Sequence, residues 1–353
     1  MHDSDVAAAP GLPDEHSGDG ERDGSARAYV IPVWVTVALF GAVAVARSRA
    51  LGIPIKDPHF DFFLGRIGEE GALVAAWAVI DAWVRGRRSG ERVRAVLRRR
   101  WTRRRLVLVA GALVAYQLVY LSYHNLKSWL VFRPLRDDLL VRVDRTLFLG
   151  HSPWVVLHDL LGQGPAAYVL MVVYESFGTL VLVAVAAALV LPDRIRDSYV
   201  YIASGMWVWI LGTLSYYLLP STGPFHARAE DFAGLPHTMI QDTQAKYYQQ
   251  RLDLIANPHA HDSFAQIAAF ASLHIGVSTL MLLMAWYAGM RRTTVVLTAF
   301  VACTTVATVY LGWHYAVDDI AGVLLAVAGV AIGRRMVYPR GRSDRASVWR
   351  DAG

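Results

Sequence analysis

The chain has a single cysteine in 353 residues, Cys303, and it lies inside an apolar run. No intrachain disulfide and no cysteine-based metal site can form from one thiol. Charge is also scarce, at 18% of residues against 55% hydrophobic ones, and it is nearly absent from seven long stretches. These are Tyr29 to Ala46, Leu106 to Tyr123, Ala166 to Leu191, Tyr199 to Leu219, Ala268 to Met290, Thr293 to Leu311 and Ala316 to Ile332. Each approaches or exceeds the roughly 18 to 20 residues that cross a bilayer core of about 30 Å. Such clustering excludes an apolar water-soluble enzyme. An eighth run, Phe62 to Val84, carries Arg66, Glu69 and Glu70 in its first third and is expected to span with that charged end in the interface. No internal repeat is evident, and the basic n-region and small-residue cleavage site of a signal peptide are missing at the start.

What charge there is marks topology. Eleven arginines lie between Arg85 and Arg105, Arg194 and Arg196 follow the Ala166 run, Arg291 and Arg292 follow the Ala268 run, and the tail after Ile332 is arginine-rich. With eight spans and the N-terminus inside, all four basic segments fall on the cytoplasmic side, and dropping the weak Phe62 run breaks that agreement. The expected fold is therefore all-α: a polytopic helical membrane bundle of about eight transmembrane helices with both termini cytoplasmic. Residues 1–28 read as a disordered cytoplasmic tail, 29–338 as one membrane domain and 339–353 as a basic cytoplasmic tail. The net charge of +6 reflects this topology rather than nucleic-acid binding.

Two connecting segments on the expected external face are long. His124 to Pro165 spaces Leu139, Val141, Leu147 and Phe148 among charged residues, which predicts short amphipathic helices at the interface. Pro220 to Gln266, rich in glycine, proline, histidine and aromatics, reads as a structured cap or substrate loop more than a helix.

Two polar clusters interrupt the apolar runs, Ala271-Ser272-Leu273-His274 and Gly312-Trp313-His314-Tyr315-Ala316-Val317-Asp318-Asp319. Ionisable groups at the edge of membrane helices are costly and mark function. An excursion into the bilayer and back separates the clusters, so His274 and His314 are expected at one depth on the external side. Asp318, four residues after His314, shares its helix face and is expected to fix the imidazole tautomer, leaving Nε2 as a nucleophile or base. Phosphorus suits a histidine nucleophile, through a phosphohistidine intermediate. His274 then serves as the general acid. Ser272 and the helix N-terminus beside it are expected to hold phosphate oxygens. Cations are also needed, and the external candidates are Arg228, Lys127, Arg133 and Arg251.

These residues resemble the type 2 phosphatidic acid phosphatase superfamily of membrane lipid phosphatases and phosphotransferases, whose motifs are K-x6-R-P, P-S-G-H and S-R-x5-H-x3-D. Ala271 to His274 is similar to the second motif. Ala307-Thr308, five residues, then His314 and Asp318 are similar to the third. The S-L-H and G-x-H-Y-x-x-D variants resemble the inositol phosphorylceramide synthase branch, and the likeness covers roughly residues 166–332. It implies His314 as nucleophile, Asp318 as its partner, His274 as acid, a lipid phosphate as substrate, and neither metal nor cofactor. Thr308 departs from the motif by standing where the family keeps a phosphate-binding arginine. Lys127 to Arg133-Pro134 has five intervening residues, not six, and lies one hairpin early. In the synthase-like branch a proline-rich turn followed by arginine takes that role, so Pro220 to Arg228 makes Arg228 the preferred phosphate clamp.

Other polar residues receive plainer assignments. Glu175 reads as a buried hydrogen-bonded or protonated carboxyl, Asp319 as solvated or paired with a loop cation, and Trp207, Tyr216 and Tyr217 as interfacial anchors. His226, His237, His259 and His261 are spaced too irregularly for a metal site. The expected protein is an extracytoplasmic-facing lipid phosphatase of the cell membrane. A headgroup phosphotransferase and a non-catalytic lipid binder or transporter are the alternatives.

Overall fold

The computed structural model describes residues 24–260 and 264–340, and the regular structure among them is entirely helical. The tail before Gly24, residues 261–263 and the tail after Arg340 lie outside the described residues. The chain forms α1 (Gly24–Leu51), α2 (Asp61–Ser89), a short basic α3 (Val93–Arg100) and α4 (Arg103–Ser128). The first long connection folds as α5 (Asp137–Leu147) and α6 (Pro153–Leu161), leading into α7 (Pro165–Val190) and α8 (Ile195–Leu218). The second carries α9 (Pro224–Ala227) and α10 (Met239–Ala256), after which α11 (Leu273–Tyr287), α12 (Arg291–Tyr310) and α13 (Ala316–Val337) complete the bundle.

All eight apolar runs become helices, and five of these, α1, α4, α7, α12 and α13, are long and apolar enough to cross a membrane. The other three fall short for separate reasons. Helix α2 carries Arg66, Glu69 and Glu70 in its first turns, and of these Glu70 is fully buried, 3.8 Å from Arg66, while Glu69 is exposed. Helix α11 has 15 residues, because the stretch before Leu273 is not helical. Tyrosine, tryptophan, serine and glycine dilute the apolarity of α8. That dilution is tolerated because α8 is the central helix, packed on α13, α4, α11, α7 and α1. Several of its polar groups are bonded inside protein, as where Trp209 Nε1 donates to the Tyr116 hydroxyl at 2.8 Å and Thr213 Oγ1 donates to the Trp209 carbonyl.

The second connection differs from the loop its composition predicts. Eighteen of its residues form α10, begun by a reciprocal cap in which Thr238 Oγ1 accepts the Ile240 N–H and Gln241 Oε1 accepts the Thr238 N–H. Fully buried Lys56 ties the end of this segment to the bundle, donating from Nζ to the carbonyls of Pro258 and Ala260, while its N–H reaches Asn125 Oδ1 at 2.7 Å. The arginine-rich stretch closes the opposite end of the bundle. Arg100 and Arg105 donate to the Val190 carbonyl at the end of α7, at 3.1 and 2.9 Å, where a cation also meets the negative pole of the helix. Asp81 lies between Arg85 and Arg100, at 2.8 and 3.1 Å.

Small residues set how closely the central helices approach. A Cβ on Gly322 of α13 would stand 2.4 Å from the Ser272 carbonyl oxygen, and one on Gly333 would stand 2.4 Å from Ser204 Oγ on α8. Backbones in that proximity gain packing that no larger residue permits. Gly322→Val is expected to cost about 1–3 kcal/mol, the usual penalty for overpacking, read as a lower midpoint of thermal unfolding in detergent. An unchanged midpoint would show that α11 and α13 separate freely.

Candidate active site

The turn joining α12 to α13 carries His314. Both the Trp313 and His314 N–H groups donate to the Thr308 carbonyl, at 3.0 and 3.2 Å, which folds the chain sharply back before α13 begins. The His314 Nδ1–H then points at the Ala269 carbonyl oxygen, 2.9 Å away. Donation there leaves the lone pair on Nε2, which lies 3.4 Å from Nδ1 of His274. Asp318 Oδ2 is 3.5 Å from His314 Nδ1 and accepts the Tyr315 N–H at 2.9 Å. The expected Asp318 contact thus exists, but it is the longer of two, and the backbone carbonyl of Ala269 is the nearer acceptor. A backbone group has no signature in residue identity, so sequence reasoning missed it.

His274 opens the first turn of α11, where its ring is clamped between Tyr174 and Phe177, with centroids at 4.4 Å for each. The two histidines face one cavity of about 260 Å3, lined also by Lys127, His124, Tyr123, Tyr216, Glu175 and Tyr247. Lys127 is the one lysine or arginine that lines this cavity, together with His124, His274 and His314. Its Nζ stands over the rings of Tyr123 and Tyr216, 5.6 and 5.7 Å from their centroids. No carboxylate pairs with it among the described residues. Arg228, the cation preferred from sequence, lies elsewhere: Nη2 reaches Asp138 at 3.2 Å and Nη1 donates to Ala227 O. Arg133 is exposed at the end of a 3-10 turn and lines no part of the cavity. Arg251 donates to the Val131 carbonyl at 3.2 Å.

Several further expectations need revision. Ser272 is fully buried and caps α11, its Oγ accepting the Ile275 N–H at 3.3 Å, so that hydroxyl is engaged within the protein. Asp319 is neither solvated nor paired with a cation. It is 4% exposed and accepts from Thr308 Oγ1 at 2.8 Å. Thr308 therefore fills the usual arginine position with a hydroxyl directed at a buried carboxylate. Glu175, expected to be buried, is exposed at the edge of the cavity. Tyr216 lines the cavity and Trp207 sits mid-helix in α8, so neither anchors an interface. His226 stacks on Tyr248 and His237 meets Asp242 at 3.4 Å, while His261 lies outside the described residues.

Two carboxylates on α5 hold the site from outside. Asp144 accepts the Ala316 and Val317 N–H groups at 2.8 and 3.0 Å, capping α13 from another helix. Asp137 accepts from the Thr222 and Gly223 N–H groups, each at 3.0 Å, and from the Tyr315 hydroxyl at 2.9 Å. Their seven-residue spacing puts both on one face of α5, beside Leu140 and Val141. That pattern was legible in the sequence as an amphipathic helix, but its partners were not.

Burial pushes the His314 imidazole down to about 4, against the opposing influence of Asp319 and the Ala269 carbonyl. The group is therefore neutral near pH 7, as a nucleophile must be. Because its folded value lies below the ordinary 6.5, its contribution to stability is complete above pH 6.5 and is lost as pH falls toward 4. In wild type but not in His314→Gln, the thermal midpoint is expected to fall additionally across that window. Parallel pH profiles would refute a buried neutral imidazole.

An unprotonated ring nitrogen, a second imidazole and an unpaired ammonium around one cavity can attack, protonate and hold a phosphoryl group. No curated protein and no solved structure matches the chain. Residues 138–332, more than half of it, match the PAP2 superfamily, and this chain belongs to that superfamily.

Proposed function

We propose that the protein is a membrane lipid phosphatase working through a phosphohistidine. The observation that carries this reading is the approach of His314 Nε2 to His274 in a cavity that also contains unpaired Lys127. Membership in the PAP2 superfamily supports a phosphatase or phosphotransferase of lipid substrates. Nε2 of His314 attacks phosphorus. As that N–P bond forms, the bond from phosphorus to the lipid oxygen breaks, and His274 passes its proton to the departing oxygen. Lys127 offsets the charge on the phosphoryl oxygens. The phosphate dianion itself favours the protonated form of His274 on entry. Water then attacks phosphorus, neutral His274 takes its proton, and the P–N bond breaks. Ala269 and Asp318 orient the His314 ring throughout.

The same chemistry with an alcohol in place of water gives the phosphotransferase reading, resembling the inositol phosphorylceramide synthase branch. The polar cavity residues Thr243, Tyr247 and Gln266, which hydrolysis does not require, favour it as a second reading. The active site faces the extracytoplasmic side of an eight-span bundle with both termini inside. This orientation follows from the arginines at the far end of α4 from Lys127, roughly 33 Å away along a helix rising about 1.5 Å per residue.

His314→Ala is expected to lower turnover of a radiolabelled lipid phosphate at least about 10³-fold and to abolish an acid-labile, alkali-stable label on the quenched protein. Equal rates in wild type and variant would sink the mechanism. Lys127→Ala is expected to lose about 10²–10³-fold in kcat/KM, as for loss of one donor to a developing charge. Arg228→Ala is expected to stay within severalfold of wild type. The reverse ranking in the same assay would return the phosphate clamp to Arg228.

A further inference from the structure

The charges of the cavity do not neutralise each other. Lys127 belongs to the wall built by α4, with His124 on the same helix. Glu175 belongs to the wall built by α7, next to Tyr174, and Tyr247 lines the same cavity. Neither meets an opposite charge in an ion pair among the described residues, although both line the same cavity of about 260 Å3. Glu175 is also the only charged residue of α7, whose other residues are suited to a bilayer. A carboxylate in such a helix is expensive unless something cationic or hydrogen-bonding meets it.

The groups around each charge sharpen the contrast. On the Lys127 side, His124 is 6% exposed and its Nε2 is buried without a partner one helical turn from the lysine. That nitrogen completes a cluster of polar groups suited to phosphoryl oxygens. Aromatic faces stand on both sides, Tyr123 and Tyr216 beneath Lys127 and Tyr174 next to Glu175, but only at Glu175 do they accompany a carboxylate. Tyr174 and Trp313 stack nearly parallel with centroids 5.4 Å apart, and Tyr247 lies 5.9 Å from Trp313. Aromatic faces beside a carboxylate attract an ammonium group, quaternary or not, and offer nothing to a second anion. A lipid phosphate without a positive group would set its own negative charge against Glu175 in the same cavity, an unfavourable pairing that an ammonium group relieves.

We infer that the substrate is zwitterionic: a phosphate ester bearing an ammonium group close to its phosphoryl group, with Lys127 facing the phosphate and Glu175 the ammonium. This rests on the reading of the cavity as a phosphate-ester site and adds the headgroup class. Two sources share that chemistry, a long-chain 2-aminoalkyl phosphate and a diacyl phosphoethanolamine lipid. Glu175 is a specificity residue here, with no role in bond making.

The full-length protein in nanodiscs tests this with those two lipids, their N-acetylated forms and phosphatidic acid of matched chain length. The readout is the ratio of kcat/KM for amine-bearing over amine-free substrate. Wild type is expected to show a ratio of at least about tenfold, equivalent to one charge interaction of about 1.4 kcal/mol. Glu175→Gln should bring it near one, and N-acetylation should do the same in wild type. Whichever amine lipid shows the ratio identifies the source. A wild-type ratio near one, or a ratio unchanged in Glu175→Gln, overturns the inference. Binding to His314→Ala protein, followed by quenching of Trp209 and Trp313 fluorescence, separates the two readings. If no lipid is turned over, the phosphohistidine reading fails, yet an amine preference in binding that Glu175→Gln removes still supports the headgroup assignment. Absence of that preference refutes it.

Discussion

The contact between the first turns of α11 and α13 is the constraint on which the site depends. The Ser272 N–H donates to the Asp318 carbonyl at 3.0 Å, and Gly322 leaves no side chain between the two backbones. Forty residues of sequence separate His274 from His314, yet this junction holds their rings 5.6 Å apart, centroid to centroid. Helix α8 makes the junction possible from behind. It packs more extensively against α13 than any other helix pair in the bundle does, and it also contacts α11. Its glycine and serine positions let both helices come close. Polar composition that weakens α8 as an isolated span is thus what fits it to be the central helix.

Around that junction, buried carboxylates serve as acceptors for the backbone and for hydroxyls, not as partners of cations. Asp144 caps α13, Asp137 gathers the Thr222 turn and Tyr315, Asp318 accepts the Tyr315 N–H, and Asp319 takes the Thr308 hydroxyl. Each bond satisfies a group that would otherwise be buried unpaired. The result is a frame of carboxylates bonded to backbone and hydroxyl donors, beside a lysine that no carboxylate pairs with among the described residues. Such an ammonium, already in place before substrate arrives, needs no reorganisation to meet a phosphoryl group.

The features legible in sequence were those set by periodicity and spacing. Every apolar run became a helix, the first connection gave short amphipathic helices, and His274 and His314 share a cavity as their equal excursion through the bilayer implied. What escaped was set by three-dimensional neighbours. The tautomer of His314 is fixed chiefly by a carbonyl that any residue at position 269 would supply. Glycine and proline elsewhere in the second connection masked α10, whose own 18 residues contain neither and begin at a cap of two side chains. The surroundings of the cations were hidden for a related reason. Arg228 fits a family pattern of spacing, but it meets Asp138 and does not line the cavity, and no count along the chain shows that.

Thr308 shows how the family site has been rearranged. In the third motif an arginine two positions into the pattern brings the phosphate cation from the same turn as the nucleophile. Here that position is fully buried and its hydroxyl is bonded to Asp319, so the space is closed by protein groups. In the proposed reading the cation comes instead from α4. Lys127 lies outside residues 138–332, the portion that matches the superfamily, and so do Tyr123 and His124. The matched portion therefore carries the proposed nucleophile, the proposed acid and the buried carboxylates, but not Lys127 or His124 on the opposite wall. The start of α11 and the turn between α12 and α13 bring the two imidazoles together. Only with α4 packed on α8 does the cavity acquire the positive side that a phosphate ester requires.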